Sequence, residues 1–188
     1  MTVILETGRL RLRNWRDSDR PLFAGINADP EVMAFFPFRR TRTEADALMD
    51  RITSRIEQTG FGFYAAAIRE TNEPIGFCGL ALTDLEPFFP DGTLEIGWRL
   101  ARLHWGKGYA TEAAKALLQY GFERHGVAEI VSFAVPQNTR STAVMERIGM
   151  QRAGSRDFDH PGISDEHGHL RAHVVYDITR KQYQALRR

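Results

Sequence analysis

A single cysteine, Cys78, occurs in the 188 residues. That excludes an internal disulfide. Its setting, the apolar strand pattern Ile75-Gly76-Phe77-Cys78-Gly79-Leu80, suits a small core residue better than a nucleophile. An excess of one charge is lacking too. Lys+Arg 25 against Asp+Glu 24 leaves a net +1, too little for a global field that would recruit nucleic acid or a membrane surface. No apolar run approaches the ~20 residues that span a bilayer. The stretch Met1-Thr2-Val3-Ile4-Leu5-Glu6 has neither a basic segment nor a long apolar core, so no signal peptide is expected. A reducing cytoplasm is the expected location. Internal repeats and low-complexity segments are absent. What the chain does have is 43% hydrophobic content, enough for one compact domain over 1–188, with 180–188 expected as a solvated C-terminal tail.

Periodicity divides the chain into alternating elements. Leu10 and Leu12 share one face of a strand over 9–15, and Arg9, Arg11 and Arg13 share the other, which reads as wet. Asp17-Ser18-Asp19 ahead of Leu22, Phe23 and Ile26 predicts a short capped helix. Thr41-x-x-Glu44 is a capping box. Ala45, Leu48, Met49, Ile52 and Ile56 then form one helical stripe, ended by Gly60. Strands are expected over 61–69 and 74–83 around a turn, and over 93–100 after a loop. A helix over 109–124 precedes a strand over 128–135, which stops at Pro136. A helix over 138–148 ends at Gly149, and strands over 150–157 and 169–179 follow. The order βααβββαβαββ predicts an α/β (α+β) fold, with a mixed, mostly antiparallel seven-stranded sheet flanked by helices.

One segment carries more chemistry than the rest. The apolar run Leu94 to Leu100 leads into Trp105-Gly106-Lys107-Gly108-Tyr109, and a helix pattern opens there with Ala110, Ala113, Ala114, Leu117 and Leu118. A strand thus enters a Gly-x-Gly turn that starts a helix. Glycines admit backbone conformations closed to other residues and let a ligand approach closely. The free N–H groups of the first helical turn, with the helix dipole, attract an anion such as a phosphate. A Walker A loop does not fit, because no hydroxyl follows Lys107 and no glycine stands five residues before Gly106. A dinucleotide fingerprint does not fit either, because Thr111 stands where its third glycine belongs.

The segment resembles the pyrophosphate loop of the GNAT superfamily of N-acetyltransferases, Gln/Arg-x-x-Gly-x-Gly/Ala. Gly106-x-Gly108 matches, and Leu103 departs at the first position, beside Arg102. The resemblance extends over nearly the whole chain, to the RimJ/RimL-type branch. Thr7-Gly8-Arg9-Leu10-Arg11-Leu12-Arg13 is similar to its first strand and Asp29-Pro30-Glu31-Val32-Met33 to the following helical turn. The run from Ile75 to Leu80 is similar to its third strand, and Glu95-Ile96-Gly97-Trp98 to its fourth. Trp105 to Ala113 follows its helix-opening consensus. Asn138-x-x-Ser141 with Met145-Glu146-Arg147-Ile148-Gly149-Met150 resembles its last coenzyme-binding helix.

That resemblance implies two strands, 93–100 and 128–135, that splay apart to admit the pantetheine arm of acetyl-coenzyme A. It implies coenzyme contacts from Trp98, Arg99, Leu100, Gly106, Lys107, Gly108, Tyr109, Ala110, Thr111, Asn138 and Ser141. Each has a plainer reading as well. The glycines can shape a tight turn, Lys107 can be solvated, Thr111 and Asn138 can cap helices, and Ser141 can be a first-turn residue. If Leu94, Ile96 and Trp98 share one strand face, Glu95 and Gly97 share the other. A lone strand carboxylate is usually solvated. In a strand covered on both sides an unpartnered one is expensive, and the resemblance puts an acidic residue there. Glu95 is accordingly expected as general base or as binder of the substrate ammonium. Ser141 or Tyr176 would protonate the departing thiolate, Tyr176 having a core reading too, and a backbone N–H near Trp98 to Leu100 would hold the developing oxyanion.

No metal is expected. His160, His167, His169 and His173 cluster with acidic residues, but on a strand His169 and His173 would stand about 13 Å apart. A polar loop on the substrate side is the expectation. Phe35, Phe36, Phe88 and Phe89 would close a core edge or line an acceptor pocket. The implied function is transfer of an acetyl group to a primary amine, on a small molecule or a protein N-terminus. A non-catalytic acyl-coenzyme A binding or sensing module is the alternative. No nucleic-acid or membrane partner is expected, and a homodimer is left open.

Overall fold

The computed structural model describes residues 2–187. Among them, nine strands form one sheet layer in the order β1-β2-β3-β4-β5-β6-β9-β7, with β8 paired to β9. The first half is antiparallel: β1 (Val3–Glu6), β2 (Leu10–Arg13), β3 (Gly62–Ile68), β4 (Pro74–Leu82) and β5 (Leu94–Leu100). β6 (Glu129–Ala134) joins β5 in parallel, after a crossover through α3 (Tyr109–Gln119), whose last turn widens over Tyr120–Arg124. β9 (Ala172–Thr179) runs antiparallel to β6, and the two-residue strands β7 (Gln151–Arg152) and β8 (Phe158–Asp159) pair along it. The mixed, mostly antiparallel sheet is thus the expected one, with nine described strands where seven were expected.

Helices cover both faces. Phe23 of α1 (Arg20–Ala28) packs on Phe77 of β4, and α2 (Arg42–Thr59) packs beside α1 and β3. The Thr41–Glu44 capping box forms as the sequence predicts, and Gly60 ends α2 at φ +77°. On the opposite face α3 lies over β4 and β5, and α4 (Thr139–Arg147) lies against α3 and β6. The core runs between these layers: Leu10, Leu12, Tyr64, Ile75, Leu80, Ile96 and Leu117 are all fully buried. Cys78 is buried there as well, and burial raises its thiol far above the reactive range.

Four expectations are corrected. Arg13 is not on a wet face. A 3-10 turn, Asp17–Asp19, folds back over the end of β2, and the buried Arg13 guanidinium donates twice to Asp19, at 2.6 and 3.0 Å. The strand expected over 150–157 shrinks to β7, because a 3-10 turn at Gly154–Arg156 interrupts the pairing before β8. His169 lies in a 3-10 segment, Asp165–Leu170, and the last strand starts at Ala172. The tail expected at 180–188 is helical as far as Leu186: α5 (Arg180–Leu186) opens with a Thr179–Gln182 capping box, and Tyr183 stacks on Phe122 at 4.9 Å. Arg188 lies outside the described residues.

Candidate active site

β5 and β6 pair at only two positions, Leu94↔Ile130 and Glu95↔Val131. Ser132 adds a last link, donating its hydroxyl to the Ile96 carbonyl at 2.8 Å. That bond turns the Ile96 backbone toward β6. Backbone direction repeats every second residue along a strand, so Trp98 and Leu100 turn their amides to the same edge, where β6 has already parted from β5. The result is a notch with unpaired backbone groups on its β5 wall. Leu100 keeps its carbonyl occupied by the Trp105 indole N–H, at 2.8 Å. Arg99 faces the other way: its carbonyl stands so close to Gly76 that a Cβ added there would meet it at 2.2 Å.

Beyond β5 the chain makes a 3-10 turn, Arg102–His104, and enters the glycine loop. Gly106 has φ +74° and Gly108 φ +79°, a region that β-carbon-bearing residues avoid. No atom lies within 4 Å of where a Cβ at Gly106 would be, so the loop surface is open. Gly108 is the N-cap of α3 and supplies no side-chain cap. The first bond of the helix, from the Glu112 N–H to the Gly108 carbonyl at 3.0 Å, leaves the amides of Tyr109, Ala110 and Thr111 without helical acceptors.

This loop is strapped from below by residues about a hundred positions away. The Glu112 carboxylate accepts from the Thr7 hydroxyl (2.5 Å), the Arg9 amide (2.9 Å) and the Arg9 guanidinium (2.6 Å). Burial pushes that carboxyl up, and the bonds from Thr7 and Arg9 outweigh it, holding its pKa below the usual range. Arg9 also donates to the Lys107 carbonyl at 3.0 Å. Arg140 of α4 lies over the Trp105 ring at 4.5 Å, and Arg102 pairs with Glu31. Leu103, the departure from the family motif, is 81% exposed.

Asn138 caps α4, its side-chain oxygen accepting from the Ser141 amide at 3.3 Å. That is the plainer of its two readings, and it leaves the side-chain NH2 available. Among the described residues the Ser141 hydroxyl has no partner. Tyr176 sits in the core on β9 and donates to Glu146 at 3.1 Å, with its pKa raised by burial first and by that carboxylate second.

Glu95 and Gly97 share the face opposite the α3 side, as the strand alternation predicts. A Cβ at Gly97 would stand 2.8 Å from the Phe63 ring and 3.5 Å from a Glu95 carboxylate oxygen. No donor among the described residues bonds that carboxylate. Burial, then the negative charge of Asp84, pushes its pKa up to about 8. Around this face lie Phe89 and Phe133, stacked at 5.6 Å, and Phe158, stacked on His173 at 5.5 Å. His160 is 5.2 Å from His173, and burial lowers both. Phe35 and Phe89 close core edges, whereas Phe36 and Phe88 remain about two-fifths exposed on the rim. No group of three His, Cys, Asp or Glu side chains among the described residues is placed to hold a metal ion.

Sequence reasoning missed several of these groups. The Thr7–Arg9–Glu112 strap, the Ser132 link and the Asp84 charge join distant segments and leave no local signal. Trp105 stood in the recognised motif, but its hold on the Leu100 carbonyl needs the folded loop.

Comparison with known proteins agrees with this fold. Residues 9–151 match the acetyltransferase (GNAT) domain family. The chain is 32% identical over 159 residues to the uncharacterized N-acetyltransferase p20 of Bacillus licheniformis, covering 82% of this chain and 86% of that one. It is 32% identical over 190 residues to the FsC-acetyl coenzyme A-N(2)-transacetylase of Aspergillus fumigatus, covering 95% and 77%. The crystal structure of a GNAT-family acetyltransferase from Bacillus anthracis superposes with a TM-score of 0.78 at 25% identity, over 96% of this chain and 99% of that one. The chain therefore belongs to the GNAT acetyltransferase family and is an acyltransferase.

Proposed function

We propose that the protein transfers an acetyl group from acetyl-coenzyme A to a primary amine, within the RimJ/RimL-type branch. The observation that carries this reading is the parting of β5 from β6 beyond Glu95, directly ahead of the open Gly106-Lys107-Gly108 loop. Notch and loop together suit a long ligand with a pyrophosphate. Gly106, Lys107, Gly108, Tyr109, Ala110 and Thr111 would hold the pyrophosphate through main-chain N–H groups at the start of α3. Trp98 and Leu100 would hold the pantetheine arm from the β5 wall, and Asn138 would reach it through its free NH2.

Acetyl-coenzyme A supplies the activated acyl group as a thioester. Glu95 takes a proton from the acceptor ammonium, directly or through water, because only the neutral amine is nucleophilic. A carboxyl raised to about 8 is matched to that task near neutral pH. The Trp98 N–H donates to the oxygen on which negative charge develops. Ser141 hands a proton to the departing sulfur, its hydroxyl being uncommitted where that of Tyr176 is held by Glu146. Positioning of the two substrates supplies several kcal/mol more.

The test is release of coenzyme A thiol when the protein is given acetyl-coenzyme A and a panel of primary amines. Amine-dependent release, with the acetylated amine seen by mass spectrometry, supports the assignment. Tight acetyl-coenzyme A binding with no amine-dependent release across peptides, amino acids and small amines sinks it in favour of a sensing module.

A further inference from the structure

Arg99 and Arg40 are two cations tied to one residue, Asn27. Arg99 stands on β5, on the same face as Glu95 and Gly97, and Arg40 stands in the segment just before α2. Neither guanidinium forms a salt bridge with a carboxylate among the described residues. Arg99 gives one N–H to the side-chain oxygen of Asn27 at 2.7 Å and lies against the Phe36 ring at 4.1 Å. Its other N–H groups, of the five a guanidinium carries, have no partner among the described residues. Arg40 lies over Phe38 at 4.6 Å, and its Nε is buried without any hydrogen-bond partner. Burial, then the neighbouring Arg40 charge, pushes Arg99 down to about 10. Arg40 is lowered by burial and then by Arg51, against the weaker pull of the Glu44 carboxylate, which is itself held by Thr41.

The pair is held in place rather than loosely exposed. Asn27, fully buried at the end of α1, anchors both residues. Its Nδ2 donates to the Phe23 carbonyl at 2.7 Å, its Oδ1 accepts from Arg99, and its main-chain carbonyl accepts the Arg40 amide at 2.9 Å. Holding two partly buried like charges together costs stability unless an anion joins them. Paired guanidinium forks on aromatic platforms are well suited to a small oxyanion.

Charge along β5 then has a direction. Glu95, beside Asp84, is the acidic end, and Arg99, beside Arg40, is the basic end. Four residues of strand separate their backbones by about 13 Å, and a Glu95 carboxylate oxygen lies beside Gly97, between the two ends. The Trp98 amide lies between them on the notch edge.

We infer that the acceptor is a small zwitterion. It carries a carboxylate or phosphate a few bonds from its amine, and Arg99 and Arg40 bind that oxyanion while the amine lies toward Glu95. This rests on the acetyl-transfer reading above. It disfavours a bare alkylamine, and it disfavours a protein N-terminus whose neighbouring group is a neutral amide.

The experiment compares matched amines with full-length protein and acetyl-coenzyme A. Each amino acid is set against its carboxamide and its decarboxylated amine, and phosphoethanolamine against ethanolamine. The expected result is a kcat/KM at least tenfold higher for the anionic member of a pair, with the amino-acid and phosphoethanolamine arms showing which oxyanion is preferred. Arg40→Met, at a residue without a salt bridge among the described residues, should bring that ratio close to one while acetyl-coenzyme A affinity stays as in wild type. Arg99→Lys should raise KM for the anionic member more than it lowers kcat. Turnover confined to neutral or cationic amines, or of no anionic amine, overturns the inference and leaves acetyl transfer to be judged on its own. Failure to bind acetyl-coenzyme A removes both.

Discussion

Glu95 shows at the scale of one residue how burial sets chemistry. Among the described residues its carboxyl has no hydrogen-bond donor; it lies beside Gly97, and burial pushes its pKa up to about 8. The deprotonated form grows as pH rises, so kcat/KM should climb through about pH 8 and level off above it. Glu95→Gln should cut turnover by about a hundredfold, the usual scale for a general base, and leave coenzyme affinity unchanged. Wild-type turnover in that variant removes Glu95 from the mechanism. Stability carries a second signature. Between the unfolded carboxyl value of 4.5 and the folded value of about 8, the folded protein binds a proton that the unfolded chain lacks. The stabilisation is full below that window and fades as pH rises through it. Thermal scans from pH 5 to 9 should therefore show wild type losing stability relative to Glu95→Gln across the window. Parallel curves would contradict the raised pKa. Alternation along 94–100 was enough to place Glu95 and Gly97 on one face. Nothing local in the sequence pointed to Asp84, because that charge arrives from a separate loop.

The element that matters most is the start of α3. Its glycine loop was legible in the sequence because two positive-φ positions at a strand-to-helix junction demand glycine. Its support was not, because Thr7 and Arg9 meet Glu112 only through folding. Gly108→Val places a β-branched residue at φ +79°, a strain of about 1–3 kcal/mol in an open loop. The protein should stay folded by circular dichroism and lose acetyl-coenzyme A binding by calorimetry. Unchanged affinity would remove the loop from the coenzyme site. The C-terminal elements were misread for a related reason. The strand expected over 150–157 is broken by the Gly154–Arg156 turn. The short helix α5 has its partner surface, Phe122 and Gly149, far away in sequence: a Cβ at Gly149 would come within 2.3 Å of Leu186.

For the whole molecule, one sheet carries two different surfaces. The α3 and α4 face and the notch edge present main-chain donors, and the α1 and α2 face presents Glu95, Arg99 and aromatic rings. At the end of β2 lies a buried ion pair, Arg13 with Asp19. Arg13→Met should leave the buried Asp19 carboxylate without its guanidinium partner and cost about 3–5 kcal/mol, read as a fall of about 6–20 °C in Tm. A loss of only a degree or two would show the ion pair to be dispensable. The family was legible because its motifs are contiguous, whereas the acceptor side is assembled from loops and had no motif. No helix among the described residues is long and apolar enough to cross a membrane. The measurement that tests the central claim most directly is thermal stability with acetyl-coenzyme A, coenzyme A, ATP and NAD added separately. A ligand at a hundred times its Kd adds ~2.7 kcal/mol, which is a shift of about 5 °C or more at this size. Shifts with the two coenzyme A forms alone are expected. A shift with ATP or NAD and none with either coenzyme form would contradict the assignment of the notch and loop, and the roles given to Glu95, Asn138 and Ser141 would fall with it.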